Sequence, residues 1–207
     1  MNWLFLRGLA RDSRHWGSFP KIFESRVPEA KVHTLDLAGM GTERRRKAPV
    51  SVRQTMEDVR HRWEGLNADF GGPWGLLSIS FGGMVALEWG AQHPYDFQRI
   101  GTINTSVGSL SPAQHRLRPG VWIDFLNIAR SNSPLQKERT ILGFNSNIAA
   151  SRDSRLESEW SGYAASKPNP TGNSIRQILA GIGYKAPKKL ATPLLILSSL
   201  QDKLCHP

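Results

Sequence analysis

Hydrophobic positions follow two different spacings along the first half of the chain. Short apolar runs have the length and composition of buried β-strands, and one more lies near the C-terminus: residues 2–6, 31–35, 74–79, 99–104 and 192–198. Between these runs, residues 18–27 and 51–66 carry apolar side chains every three or four positions, as helices with one buried face do. The alternation predicts an α/β fold with a mostly parallel, doubly wound sheet covered on both faces.

The pattern changes between residues 110 and 190, where helical spacings dominate. Ser133 and Ser174 each stand three positions before a glutamine, a spacing typical of helix N-termini. We therefore predict an α/β core over residues 1–109 and 191–207, with a helical insertion over residues 110–190 that forms a lid over the strand ends. The alternative is that the aromatic side chains of this insertion only bury it against the core.

Residues 74–90 predict a short strand that turns directly into a helix, with Ser80 at the corner. A nucleophile on such a sharp turn needs small residues two positions before and after it. Gly82 meets the second demand, and Ser78 meets the first approximately. Ser78 is itself a poorer nucleophile candidate, because its own neighbours at these positions are Leu76 and Ser80. The alternative is an ordinary strand–helix unit with an incidental serine.

The charge of the chain is strongly positive. The 27 Lys and Arg residues outnumber the 17 Asp and Glu residues, which gives a formal net charge of +10 and suggests an acidic partner. The only dense basic run covers residues 44–47, and no basic patch with interleaved aromatic residues accompanies it. This distribution argues against nucleic acid as the partner.

Cysteine content and the N-terminus bear on the cellular compartment. The single cysteine, Cys205, excludes an internal disulfide and offers no metal cluster. The apolar run at residues 3–6 is too short for a signal peptide or a membrane span. We therefore expect a cytoplasmic protein without a membrane span.

Four segments, in order along the chain, resemble motifs of the α/β-hydrolase superfamily, specifically of its small serine esterases with a lid. The first resembles the oxyanion loop, the second a glycine-rich loop, the third the nucleophile elbow, and the fourth the strand and loop that deliver the triad acid: residues 7–9, 36–41, 78–82 and 192–202. The resemblance covers essentially the whole chain.

This resemblance implies a role for each matching position. Ser80 would be the nucleophile and Asp202 the triad acid, while the backbone N–H groups of Leu9 and Phe81 would hold the oxyanion. Ser78 and Gly82 would support the elbow. Neither a metal nor a cofactor is implied, and the substrate would be a small-molecule ester. An acidic acyl-carrier protein would suit the positive charge.

The sequence departs from the family pattern at three places. Arg7 stands where the family has histidine, and Ala38 stands where it has proline. The family's catalytic histidine follows one further strand after the acid, and no such strand follows Asp202. We expect solvated or structural roles for the histidines present, although His206 lies close to Asp202 in sequence: His15, His33, His61, His93, His115 and His206.

These departures lead to the expectation that the chain is truncated before the final strand and the catalytic histidine. Two functions then remain open. One is a serine hydrolase, impaired in this chain, that forms an acyl-enzyme at Ser80. The other is a non-catalytic remnant, or a module that binds a ligand or partner. In either case we expect an exposed sheet edge and poor solubility or association.

Overall fold

The computed structural model describes residues 1–146 and 154–206, in which a five-stranded sheet is flanked by helices. The strands are β1 Asn2–Leu6, β2 Lys31–Thr34, β3 Trp74–Ile79, β4 Arg99–Ile103 and β5 Leu194–Leu197. The α-helices are α1 Phe19–Arg26, α2 Val52–Phe70, α3 Phe81–Gln92, α4 Ala113–Arg116, α5 Trp122–Arg130, α6 Pro134–Asn145, α7 Ser154–Ser166 and α8 Thr171–Ile182. Short 3-10 turns lie at Ser13–Trp16, Gly41–Glu43 and Pro119–Val121.

All neighbouring strands pair in parallel, in the order β2-β1-β3-β4-β5. The chain moves outward from β1 to β2, then returns to β3 beside β1 and moves outward the other way. The predicted parallel, doubly wound sheet is confirmed. Ligands of such sheets bind beyond the carboxyl ends of the strands, at the point where the strand order reverses. In this protein that point lies between β1 and β3.

The core occupies both faces of the sheet because successive residues of β1 point in opposite directions. Leu4 and Leu6 are fully buried in a large cluster with side chains of α2 and α3. Phe5, between them, is fully buried in a smaller cluster with Trp16 and Leu77. Full burial of one such side chain contributes about 1.5–3 kcal/mol. The sheet is therefore held from both sides through one central strand.

The chain divides into two compact units whose boundaries differ from those of the predicted lid. One unit comprises Met1–Leu110 and Asn169–Leu197, and the other comprises Ser111–Pro168 and Ser198–Pro207. Helix α8 belongs to the first unit because it packs against α2 and α3. The segment after β5 belongs to the second unit, where Leu204 O accepts a hydrogen bond from the Arg118 N–H at 2.9 Å.

The second unit is mainly helical, and the lid over residues 110–190 stays a prediction. Helices α6 and α7 pack together, and the Arg139 guanidinium donates two hydrogen bonds to buried Glu157 across them, at 3.0 and 3.1 Å. The Ser133 hydroxyl caps α6 by accepting the Gln136 N–H. The predicted helix start at Ser174 is wrong, because α8 already begins at Thr171.

None of the helices in residues 1–146 and 154–206 is long and apolar enough to cross a lipid bilayer. The cytoplasmic location stays a prediction.

Strand β5 forms one edge of the sheet and exposes apolar side chains. It pairs with β4 on one side, and no other strand among the described residues pairs with it. Leu195, Ile196 and Leu197 are 58%, 65% and 46% exposed. An unpaired edge with exposed apolar side chains is a template for association.

We predict that the protein associates as its concentration rises and that Ile196→Lys shifts it toward the monomer, because a lysine on an edge strand opposes strand pairing. Sedimentation velocity over a concentration series measures this shift. Tyr95→Lys, at a side chain that is 98% exposed, is the matched control and should leave association unchanged. A wild-type protein that stays monomeric throughout would contradict the prediction.

Candidate functional site

Ser80 occupies the sharp turn between β3 and α3, with φ 55° and ψ −120°. This left-handed backbone is unfavourable for a residue other than glycine, by about 1–3 kcal/mol. Two hydrogen bonds hold it. The Ser80 N–H donates to Ile103 O at 2.9 Å, and the Thr105 hydroxyl donates to Ser80 O at 3.2 Å. The turn therefore has the strained geometry that the sequence predicted at this serine.

Small residues around the turn allow the loop after β1 to approach Ser80. A Cβ atom on Gly82 would lie 2.5 Å from Arg7 O, and one on Gly8 would lie 3.0 Å from the Ser80 Cβ. Neither position has space for a larger side chain. Ser78 is fully buried, and its hydroxyl donates to Gly101 O at 3.1 Å. Ser78 is thus a structural neighbour of the turn.

Two backbone N–H groups near Ser80 are available as donors. Helix α3 begins at Phe81, and the N–H groups of a helix's first turn have no partner within the helix. Leu9 follows Gly8, whose backbone packs against Ser80. Among the described residues, no protein acceptor pairs with the N–H of Leu9 or Phe81. Such donors can stabilise an oxygen atom that becomes negative.

The loop after β1 is strongly cationic. Arg7 lies over the Trp16 ring at 4.9 Å, and its Nε is buried without a hydrogen-bond partner in the described chain. Burial, with a further contribution from nearby Arg11, lowers the pKa of Arg7 to about 10. The residue in the place of the expected histidine is therefore a cation packed on an aromatic ring.

Asp12 is the anchor of this loop and is almost fully buried. Its carboxylate accepts hydrogen bonds from the Arg14 guanidinium at 2.8 and 3.0 Å and contacts the His15 ring at 3.2 Å. Burial alone would raise the pKa of Asp12, but the hydrogen bonds from His15 and Arg14 outweigh it. The pKa is therefore held well below its ordinary value.

The glycine-rich loop after β2 is tied to the loop after β1. The buried carboxylate of Asp36 accepts the Ser13 N–H at 2.6 Å and the Thr42 N–H at 2.8 Å. Gly41 has a φ of +50°, and a Cβ on it would overlap the Asp36 carboxylate. Loops that follow two neighbouring strands are thus joined beside the turn at Ser80.

Asp202 lies on the segment after β5, in the second compact unit. Its Oδ1 accepts the backbone N–H groups of Leu204 and Cys205, at 2.8 and 3.0 Å. The carboxylate therefore shapes its own turn. Its role as a triad acid stays a prediction.

No histidine among the described residues of the first unit hydrogen bonds the Ser80 hydroxyl. His15 is engaged with Asp12 and Arg11, and His33 contacts Asn2 at 3.3 Å. His115 and His206 stack on one another in the second unit, with their ring centroids 4.8 Å apart. In the part of the chain that the structure covers, no group of three or more His, Cys, Asp or Glu side chains is placed to hold a metal ion.

Three amide side chains that the sequence analysis did not select border the site. Asn169, Asn173 and Gln177 are spaced four residues apart on and just before α8. The Asn173 amide accepts the Ala48 N–H at 3.0 Å and donates to Gly39 O at 3.3 Å. The sequence pattern that could have indicated these residues is the spacing of three amides, four positions apart, on and just before α8.

The sheet is parallel, and the left-handed turn at Ser80 lies where the order of the strands reverses. This architecture is typical of α/β enzymes with a nucleophile elbow. The chain belongs to the Alpha/beta hydrolase family, whose sequence profile matches residues 3–206.

Individual proteins extend this likeness. The chain is 27% identical to the Biotin biosynthesis bifunctional protein BioHC of Teredinibacter turnerae over 135 residues. These residues are 60% of this chain and 22% of that protein. A hydrolase from Pseudomonas aeruginosa shares the fold at a TM-score of 0.71 and 15% identity, over 98% of this chain and 73% of its own. The esterase RhEst1 from Rhodococcus sp. matches at a TM-score of 0.66 and 17% identity, over 100% of this chain and 74% of its own.

We predict that Asp12→Asn lowers the free energy of unfolding at neutral pH by about 1–3 kcal/mol, because it weakens a buried, charge-assisted set of hydrogen bonds. Since the pKa of Asp12 is lower in the folded state, its carboxylate stabilises the fold above the unfolded pKa of about 3.9. That stabilisation is lost as the pH falls through the folded value.

Urea unfolding at neutral and acidic pH measures the difference between wild type and variant, which should shrink on acidification. Asp69→Asn, on the exposed surface of α2, is the matched control. A difference for Asp12→Asn that does not change with pH would contradict the expected linkage.

Proposed function

We propose that the protein is a serine hydrolase that cleaves a carboxylic ester or thioester through an acyl-enzyme at Ser80. The observation that carries this proposal is the left-handed turn of Ser80 at the start of α3. Its hydroxyl stands between a helix N-terminus and the loop that contains Leu9. The likeness of the fold to the esterase RhEst1 supports the same reaction class.

In this mechanism the Ser80 Oγ attacks the ester carbonyl carbon and gives up its proton to a general base. The carbonyl oxygen becomes negative and accepts hydrogen bonds from the N–H groups of Leu9 and Phe81. The tetrahedral intermediate collapses, the alcohol or thiol leaves with a proton, and the acyl group stays on Ser80. Water then attacks the acyl-enzyme, which releases the carboxylic acid and restores the serine.

The base in this mechanism is an imidazole held by the acid Asp202, as the family's chain order implies. The described part of the first unit offers no imidazole in contact with Ser80. We therefore propose that hydrolysis by this chain is impaired by several powers of ten relative to a complete triad.

The second candidate is a module that binds an ester or acyl ligand without turning it over. In the described part of the first unit no histidine contacts the Ser80 hydroxyl, and this favours the binding candidate. In that case the two N–H donors and the serine hydroxyl would bind a carbonyl oxygen in its ground state.

We predict that an alkyl fluorophosphonate labels Ser80, but more slowly than it would label a complete triad. Its phosphoryl oxygen places negative charge at the same two N–H groups, while no imidazole in the described part of the first unit activates the hydroxyl. Mass spectrometry of peptides locates the label. Ser80→Ala should remove it, and Ser25→Ala, at an exposed serine of α1, should not. Labelling at another residue would contradict the proposed nucleophile, and ester turnover abolished by Ser80→Ala would contradict the binding-only candidate.

We further propose an acidic acyl-carrier protein as a partner, since the net charge of +10 would attract it. The exposed side chains of Arg45 and Lys47 lie in the densest basic run.

We predict that replacing both Arg45 and Lys47 by glutamate weakens binding of an acylated, acidic carrier at least tenfold, because each reversal turns attraction into repulsion. Isothermal titration calorimetry at low and high ionic strength measures it, and wild-type binding should weaken with salt. Replacing both Lys21 and Arg26 by glutamate, at exposed positions of α1, is the matched control. Affinity that is indifferent to salt would contradict an electrostatic partner.

A further inference from the structure

The loop after β1 makes a tight turn at Gly8–Arg11, and its third residue is strained. The Arg11 N–H donates to Gly8 O at 3.3 Å, which closes the turn over Leu9 and Ala10. Ala10 has a φ of +55°. A turn with positive φ at its third position normally takes glycine there, because a Cβ is unfavourable in that conformation. Something outside the turn must therefore hold Ala10.

Both backbone polar groups of Ala10 are held by side chains that lie in the middle of α8 and just before it. The Ala10 N–H donates to Gln177 Oε1 at 2.9 Å, and Ala10 O accepts from Asn169 Nδ2 at 3.2 Å. Asn169 also accepts the Gly41 N–H at 3.0 Å, so its amide is fixed at both ends. The two amides act on a single residue, which directly follows Leu9.

The position of Gln177 shows why an amide is needed there. Gln177 is 1% exposed, and its Nε2 is buried without a hydrogen-bond partner in the described chain. An unpaired buried donor carries a desolvation cost, which an apolar side chain of similar size would avoid. The distinctive contribution of the amide is therefore its bond to Ala10. If the amide of Gln177 were rotated by about 180°, its Nε2 would face the Ala10 N–H, donor against donor. The hydrogen bond therefore requires the orientation with Oε1 toward Ala10.

Helix α8 is itself held at the turn that contains Ser80. Gly181 lies one turn after Gln177, and a Cβ on it would contact Phe81 and Met84 at 3.5 Å. The helix therefore spans from the first turn of α3 to Ala10. It links the two segments that carry the N–H donors of Phe81 and Leu9.

We propose that Gln177 and Asn169 are positioning residues for the oxyanion donor at Leu9, which they set by holding Ala10 in its left-handed conformation. This inference rests on the proposed hydrolase function of Ser80. The anchoring of the turn can be measured without that chemistry, so the two can fail separately.

The test combines amide hydrogen exchange by NMR with fluorophosphonate labelling of Ser80. In Gln177→Met the Ala10 and Arg11 amides should exchange about tenfold faster, as expected for the loss of one hydrogen bond. Gln177→Glu keeps an acceptor for the Ala10 N–H and should preserve the protection of Ala10. Gln54→Met, at an exposed position of α2, is the matched control and should change neither amide.

A rescue variant separates positioning from general stability. Ala10→Gly removes the strain at φ +55°, so combining it with Gln177→Met should restore protection of the Arg11 amide and the labelling rate of Ser80. Gln177→Met alone should slow that labelling about tenfold at an unchanged melting temperature. Asn169→Asp, which cannot donate to Ala10 O, gives a second variant with the same expected acceleration at Arg11.

Three results would overturn the inference: unchanged exchange at Ala10 in Gln177→Met, equal exchange in Gln177→Glu and Gln177→Met, or undiminished labelling of Ser80 in Gln177→Met. If no variant is labelled, wild type included, while Ala10 responds as expected, the proposed function fails and the anchoring of the turn stands.

Discussion

The site depends on one backbone conformation, the left-handed turn at Ser80. A serine does not adopt this conformation without support, and the support comes from three neighbouring strands. Strand β4 supplies Ile103 O as the acceptor for the Ser80 N–H. The segment after β1 lies against Gly82, and β3 leads the chain into the turn. Contacts with the central strands of the parallel sheet therefore offset the strain at Ser80. Each of these strands, β1, β3 and β4, pairs with a neighbour on both sides.

The same constraint explains the chemistry around the serine. Helix α3 starts immediately after Ser80, and among the described residues no protein acceptor pairs with the N–H of Phe81 or with that of Leu9 on the neighbouring loop. The reversal of strand order between β1 and β3 brings these loops to one edge. The site is thus a consequence of topology, and the side chains of Arg7, Asp12 and Asp36 fix the loops around it.

Strands and helices could be predicted from the sequence because their hydrophobic positions repeat regularly. Contacts between residues far apart in the chain could not be predicted. Strand and helix positions followed from hydrophobic spacing, and the turn at Ser80 followed from the small residues beside it. The cap at Ser133 was correct, but the one at Ser174 failed because local spacing cannot tell a helix start from a helix interior. Gln177 was missed because its partner, Ala10, lies 167 positions away. The unit boundaries differ from the predicted lid because α8 packs against α2 and α3.

The row of amides on α8 has a consequence for how such proteins can vary. Asn169 is the first residue of the segment that returns to the unit containing the sheet, and Leu110 is the last before the chain leaves it. The amides that hold the two loops at the site therefore all follow residues 111–168 in the chain. Insertions, deletions or exchange within 111–168 would leave these amides in place, so this stretch can vary while the turn at Ser80 keeps its shape.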